Sequence, residues 1–349
     1  MERASPLDRA SSGSFAGLRI AVLGDLIADH WLHARPSRLS REAPVIVLRH
    51  EREELACGGA ANVARNLRAL GAEVAVFGAV GRDATGRELT AALGAERIEV
   101  GSIASIPGWT TPTKTRVLAA EPRRNPQQIL RIDREPSGPI PDDVRRAAAA
   151  AVRARISDFD ALLVSDYEYG LVGREAAVLA REFTDRGLVA VLDPRRGLGD
   201  FTGALSALTP NVGELATFVR CSVDDLTSAR GVRAAAQELR ARVDSRWLLV
   251  TRGNLGMALF GAGIPAEGLW IPASGEGEVT DVCGAGDTAA AVFTLALAAR
   301  LDPAEAMRFA NAASGVVVME SGAATCSPTQ LAAALVTAPS PAVACVEGT

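Results

Sequence analysis

Short apolar runs alternating with helix-patterned stretches constrain this chain more than any other feature, because few architectures bury both. Leu18-Arg19-Ile20-Ala21-Val22-Leu23 ends at Gly24-Asp25, the pattern of a buried strand that delivers a carboxylate at its C-terminal edge. Gly58-Gly59-Ala60-Ala61-Asn62 then opens a helix with Val63, Leu67 and Leu70 at helical spacing, and 74–77 follows as a strand. From 141 the alternation predicts a helix over 141–155, a strand at 161–164, a helix over 172–185 and a strand at 188–192. Further strands are expected at 205–208, 246–250, 256–260 and 267–271, and apolar helices at 286–299, 303–318 and 328–336. This is the α/β class: a mainly parallel sheet with helices on both faces, whose ligands gather at the carboxyl ends of the strands. Asp25, Asp166, Asp193, Asn211 and Thr251 each follow one of the strands, which places them on one edge, as site residues or as turn and cap residues.

Two segments break the rhythm. The polar, arginine- and proline-containing stretch up to residue 56 has 45–48 as its one clear strand, and 107–135 alternates in Thr113–Leu118 and Gln128–Asp133. Together they predict a small projecting sheet, a lid, whose exposed edge would be covered by pairing with a second copy across a two-fold axis.

Composition narrows the function classes. The 349 residues suffice for one large domain or two ordinary ones, and 48% hydrophobic with 22% charged residues is a globular balance. A formal net charge of -4 provides no electrostatic case for nucleic acid or an anionic membrane. No apolar run reaches membrane-spanning length, and residues 1–17 read as a loose polar tail without the core of a signal peptide. Cys57, Cys221, Cys283, Cys326 and Cys345 are odd in number and lack paired metal spacing, which points to the reduced cytoplasm. His30 and His33 lie three apart with no third ligand nearby. Of 37 basic residues Lys114 is the only lysine, and a compact ammonium fits where a guanidinium fork does not.

Asp281-Val282-Cys283-Gly284-Ala285-Gly286-Asp287-Thr288 precedes a helix-forming run without proline. Its Gly-Ala-Gly amides would face an anion such as phosphate, and Asp287 would stand where a carboxylate takes a proton from an attacking hydroxyl. The plainer reading is a tightly packed loop with a first-turn aspartate favoured by the helix dipole.

These segments, in this order, resemble the ribokinase-like (PfkB) family of carbohydrate kinases over residues 18–336, with Gly58–Asn62 and Asp281–Thr288 matching its N- and C-terminal signatures. Within the family the chain looks most like kinases that phosphorylate heptose 7-phosphate at its anomeric carbon. The likeness lies in Gly24-Asp25 with Asp29, Ser40–Val45, Thr113–Val117, Ser165-Asp166-Tyr167, Leu192-Asp193-Pro194 and Thr209-Pro210-Asn211. The resemblance implies a three-layer αβα sandwich with a small β-sheet lid, built from lid segments at about 31–56 and 107–135, with residues 337–349 as a C-terminal tail. It implies ATP and Mg2+ as cofactors, K+ activation through Asp281, and a homodimer joined by the lids. Asp287 would be the catalytic base, and the amides of Gly284, Ala285 and Gly286 the anion hole. Asp25, Gly58, Gly59 and Asn62 would hold the sugar hydroxyls, with Asp29, Asp133 and Asp166 beside them and Lys114 on a substrate phosphate. On the nucleotide side Asn211 and Glu214 would organise magnesium through water, or form a helix capping box, or both. Thr251, Arg252, Gly253 and Gly256 would form the ATP loop, with Asn311 and Ser314 near the adenine.

Three departures bear on the substrate: Cys283 stands where threonine is common, Arg195 where lysine is usual, and Tyr169, beside Glu168, where the heptose kinases carry lysine. The last removes a positive charge from the expected phosphate site. Some heptose kinases are fused to a nucleotidyltransferase, for which no room follows residue 340, so kinase activity alone is expected. A dinucleotide-dependent oxidoreductase is disfavoured because no Gly-x-Gly-x-x-Gly follows the first strand, and intact Asp287 and Gly284–Gly286 argue against a silent sensor.

Overall fold

The strand Arg19–Gly24 is covered on both faces, which explains its unbroken apolar run. Ile20 and Val22 point into one core, and Ala21 and Leu23 into the other. The computed structural model describes residues 15–120, 126–195, 197–275, 281–320 and 322–343. Within them a ten-stranded sheet runs in the spatial order Ala342–Val343, Leu269–Ile271, Met257–Gly261, Trp247–Thr251, Ala207–Leu208, Val189–Asp193, Ala161–Ser165, Arg19–Gly24, Glu73–Gly81, Glu99–Ile106. From Trp247–Thr251 to Glu99–Ile106 every pairing is parallel, and the three strands at the opposite edge are added antiparallel. Gly24 pairs with Ser165 and Ser165 with Asp193, so the residues that follow these strand ends meet at one edge.

The helix Ala285–Ala298 is buried from Asp287 to Leu297 without interruption, between the sheet and the helices Ala60–Ala69 and Pro303–Val317. Only a helix packed on all sides can be apolar all round. Helices Asp142–Ala154, Arg174–Asp185 and Ala229–Val243 cover the other face through residues such as Val152, Phe183 and Leu239. The last of these has no counterpart among the helices expected from the sequence. Ser228 caps it, and Val232, Ala235, Ala236, Leu239 and Val243 are its buried residues, a helical spacing.

A separate four-stranded sheet runs in the order Ile46–Gly59, Leu26–Leu39, Thr113–Ala119, Gln127–Arg134. Here the structure corrects the expectation for the first 60 residues. Where one short strand was expected at 45–48, two fourteen-residue strands form a long hairpin. Their arginines, glutamates and histidines hid the pattern, because much of the hairpin is exposed and cross-strand polar contacts such as the Arg35–Glu51 ion pair and the His33–Glu54 hydrogen bond replace apolar alternation. His30 pairs with Glu53 and His33 with Glu54, and no group of three metal-ligating side chains occurs among the described residues. Gly58 and Gly59 end the second strand instead of opening the helix, which starts at Ala60.

The expected tails also differ. Phe15 is buried edge-on against Phe309, and Ala342–Val343 pairs with Leu269 and Trp270, while residues 1–14 and 344–349, including Cys345, lie outside the described residues. No helix among the described residues is long and apolar enough to cross a membrane. Phe293, fully buried in the central helix, carries much of this packing. Phe293→Ala is expected to lower unfolding free energy in urea by about 3–5 kcal/mol.

Candidate active site

Asp287 lies in the first turn of the helix Ala285–Ala298, 5% exposed. Its Oδ2 accepts from Asn62 Nδ2 at 2.8 Å and its Oδ1 from the Tyr167 hydroxyl at 2.7 Å. Asn62 is held in turn: Asn66 donates to its backbone oxygen (3.0 Å) and to its Oδ1 (3.3 Å), and Asn66 Oδ1 accepts from Thr288 Oγ1 (3.0 Å). This polar network ties the two signature segments across the apolar contact of their helices. Gly284 caps the helix at φ +78°, and a Cβ there would sit 2.5 Å from Asn62 Nδ2. Glycine is therefore required by both the turn and the approach of Asn62.

Burial pushes the Asp287 carboxyl up to about 6 against the two hydrogen bonds, which favour the ionised form; Asp29 adds to the rise and Lys114 opposes it.

Two recesses share Asp287, Tyr167 and Gly284 as a common wall. The first is bounded by Asp29, Gly59, Asn62, Lys114 and Arg116. Three adjacent strands place Asp29, Lys114 and Asp133 in register, a row of alternating charge across the small sheet. Arg116 is paired with Asp29, reaches Cys283 Sγ at 3.5 Å and stacks on Trp31. A Cβ at Gly58 would collide with the Asp29 carboxylate. Asp133 is paired with Arg131, which holds its carboxyl below the usual range.

The second recess is lined by Asp166, Asp193, Arg195, Asn211, Glu214, Thr251, Gly284 and Gly286, so Asp166 stands here and not beside Asp29. Asn211 and Glu214 form a reciprocal capping box, and Arg195 Nη1 reaches Glu214 at 3.2 Å. Burial raises the Glu214 carboxyl. It raises Asp193 well above the ordinary value, aided by the charges of Asp287 and Glu214. Beyond Thr251 and Asn211 opens an apolar groove walled by Val212, Val223, Leu226 and Leu255, with Arg252 and Gly253.

Several expected residues do other work. Asp25 is fully buried, and its carboxylate accepts from the backbone N–H of Tyr167 (2.8 Å), Tyr169 (3.1 Å) and Leu171 (3.2 Å). It is a loop anchor with no surface to offer a sugar, and burial pushes it up to about 6. Asp29, four residues on, takes the place in the recess expected of Asp25. Asn311 donates to Pro272 O (2.9 Å) and Ser274 Oγ (2.8 Å), and Ser314 Oγ donates to Ala285 O (3.3 Å), so both bind the protein to itself and line neither recess nor groove. Gly256, at φ +83°, packs on Ile271 O, and Asp281 accepts from the amides of Cys283 and Gly322. Ala285 follows Gly284 in the first turn, its N–H 3.4 Å from Val282 O. Tyr167, Arg116 and Asn66 were not singled out from the sequence as parts of the site.

A buried carboxylate on the wall shared by one recess of charged and polar side chains and another ending on helix-start glycines is a layout suited to phosphoryl transfer. Residues 18–330 match the pfkB family of carbohydrate kinases. The chain is 37% identical over 321 residues to the bifunctional protein HldE of Trichlorobacter lovleyi, covering 91% of this chain and 63% of that protein. With that of Geobacter metallireducens it shares 39% over 316 residues, covering 89% and 61%. It thus spans a little under two thirds of these relatives. Among solved structures, Arabidopsis thaliana ribokinase complexed with ribose and ATP superposes with a TM-score of 0.69 at 19% identity, covering 92% of this chain and 99% of that one. Escherichia coli phosphofructokinase-2 in complex with potassium gives 0.69 at 19%, covering 91% and 98%. The chain belongs to the pfkB family of carbohydrate kinases and has the ribokinase-like fold.

The raised carboxyls carry a stability cost with a definite sign. Asp287 titrates near 6 when folded and near 3.8 when unfolded, so the folded protein binds the proton more readily and loses stability as pH rises from 4 through 6. At pH 8 the cost is roughly 3 kcal/mol. Asp287→Asn is therefore expected to melt at or above the wild-type temperature at pH 8, with the difference shrinking by pH 5 in calorimetry.

Proposed function

We propose that this kinase transfers the γ-phosphoryl group of ATP to the anomeric hydroxyl of D-glycero-D-manno-heptose 7-phosphate, giving heptose 1,7-bisphosphate. The observation that carries the reaction is the position of Asp287 on the wall common to both recesses. The substrate follows from the motif resemblance, the likeness to the HldE proteins, and the cations Lys114 and Arg116 in the acceptor recess. Asp29, Asn62 and the Gly59 backbone bind sugar hydroxyls. Asp287 takes the proton of the attacking hydroxyl as its oxygen bonds to the γ-phosphorus, and the bond to the β–γ bridging oxygen breaks to release ADP. Gly284 and Gly286, with Arg195, face the charge that spreads over the transferred group. The apolar groove beside Thr251 takes the adenine, with flat aliphatic walls and no need of Asn311 or Ser314.

Glu214 fits a magnesium site held through water: an oxygen donor in the phosphate recess, its side chain 13% exposed, with Asn211 beside it. Bound there, Mg2+ would neutralise phosphate oxygens. Asp281 is the proposed neighbour of a monovalent cation, K+, and its carboxylate already orders the 281–283 turn.

One observation favours a second reading, another sugar as acceptor. Tyr169 donates to Glu135 at 3.1 Å, so this rim carries an acid where a lysine would have met phosphate. A panel of acceptors with MgATP and product identification decides between them: heptose 7-phosphate is expected to give product, and turnover of another sugar in its place overturns the substrate. Asp287→Asn is expected to lower turnover by at least about 10³-fold while sparing ATP binding.

The small sheet is the proposed lid and dimer contact. Gln127–Arg134 pairs with Thr113–Ala119 on one side and is the edge strand of the small sheet among the described residues, with Ile129, Leu130 and Ile132 exposed, and the hairpin tip exposes Leu39, Val45 and Ile46. Sedimentation is expected to return twice the mass of the chain, and Ile132→Lys with Leu130→Lys to return the monomer.

A further inference from the structure

Tyr167 and Tyr169 are the only tyrosines of the chain, and the hydroxyl of Tyr167 is one of just two side-chain donors to Asp287 among the described residues. An aspartate carboxyl turns easily about its last torsion, so one hydrogen bond from Asn62 leaves its plane undefined. A second donor on the other oxygen, from a different part of the fold, defines it. Tyr167 is well placed for this. Its backbone N–H is tied to Asp25, its ring lies 5.5 Å from Lys114 Nζ and 5.7 Å from Arg195 Cζ, and it borders both recesses.

We propose that Tyr167 is a positioning residue for phosphoryl transfer: its hydroxyl holds Asp287 Oδ1 so that the carboxylate stays ionised and aimed at the seam between the acceptor and phosphate recesses. This rests on Asp287 being the base. Burial and the charges of Asp287 and Asp193 push the phenol well above its ordinary range, so it remains a donor across the working pH. A neutral donor suits the task, because a cation in hydrogen-bond contact would depress the basicity that the carboxylate needs. The other groups around the pair are Asp29 and Asp193, which disfavour negative charge at the site, Lys114 and Arg195, which favour it, and the Cys283 thiol, which burial keeps neutral.

The test uses the full chain and two readouts. In pH-difference infrared spectra without substrate, the carboxylic C=O band that Asp287→Asn deletes is expected to titrate near 6 in the wild type and about one unit higher in Tyr167→Phe. With MgATP and the acceptor selected by the panel, the acid limb of kcat/KM moves by the same amount, and kcat falls about tenfold with an unchanged KM for ATP. A band and an acid limb that stay at the wild-type pH in Tyr167→Phe overturn the proposal. Full turnover in Asp287→Asn overturns the base assignment instead, and the infrared shift still reports on the hydrogen bond. Should Tyr167→Phe fail to fold, 3-fluorotyrosine incorporated in a Tyr169→Phe background labels Tyr167 alone. Its more acidic phenol is a stronger donor, so the acid limb is expected to move to lower pH, and no movement overturns the proposal.

Discussion

The structure depends on an expensive placement: a carboxylate buried at the start of an apolar helix. Asp287 has almost no contact with water, and among the described residues no cation hydrogen-bonds to it; it is held by an amide and a phenol. Buried charge is tolerated only where polar partners replace its hydration. The Asn62–Asn66–Thr288 network exists to supply one of those partners, and the Asp25-anchored turn at 167–171 supplies the other. The site is therefore the point at which the strand end at Gly24, the helix at Ala60 and the helix at Ala285 must all be correctly placed.

That arrangement separates two duties that look alike in the sequence. Asp25 and Asp29 are both acids near the end of the first strand, yet one is enclosed by three backbone amides and the other is on the small sheet, facing the recess. The first stabilises the turn that carries Tyr167. The second is paired with Arg116 and stands in a row with Lys114 and Asp133 that only strand register creates. Because the row belongs to the small sheet and Asp287 to the central helix, this recess is walled jointly by the small sheet and by the helix and loop residues beside the large one.

Much of the central architecture is legible in the chain. The parallel strands are covered on both faces and so are continuously apolar, and the helices from 285 onward are apolar enough to be recognised without their neighbours. The hairpin over 26–59 is not legible in the same way, since its exposed strands are held by ion pairs and backbone bonds that leave no apolar period. Asn311 and Ser314 show the converse. They are polar residues on a buried helix and suggest a ligand, but their partners are the oxygens of Pro272, Ser274 and Ala285, which tertiary packing brings alongside.

Local sequence determined the alternation of strands and helices, the turn at Gly284 and the presence of an aspartate just after it, because these follow from side-chain period, glycine geometry and helix-end chemistry within a few residues. Tertiary structure alone decided which aspartate faces the recess, which tyrosine meets Asp287 and which acids are raised in pKa. Those properties are set by burial and by partners more than a hundred residues away in the chain, as Asn62 and Tyr167 are from Asp287. Only the folded chain creates that dielectric and those contacts.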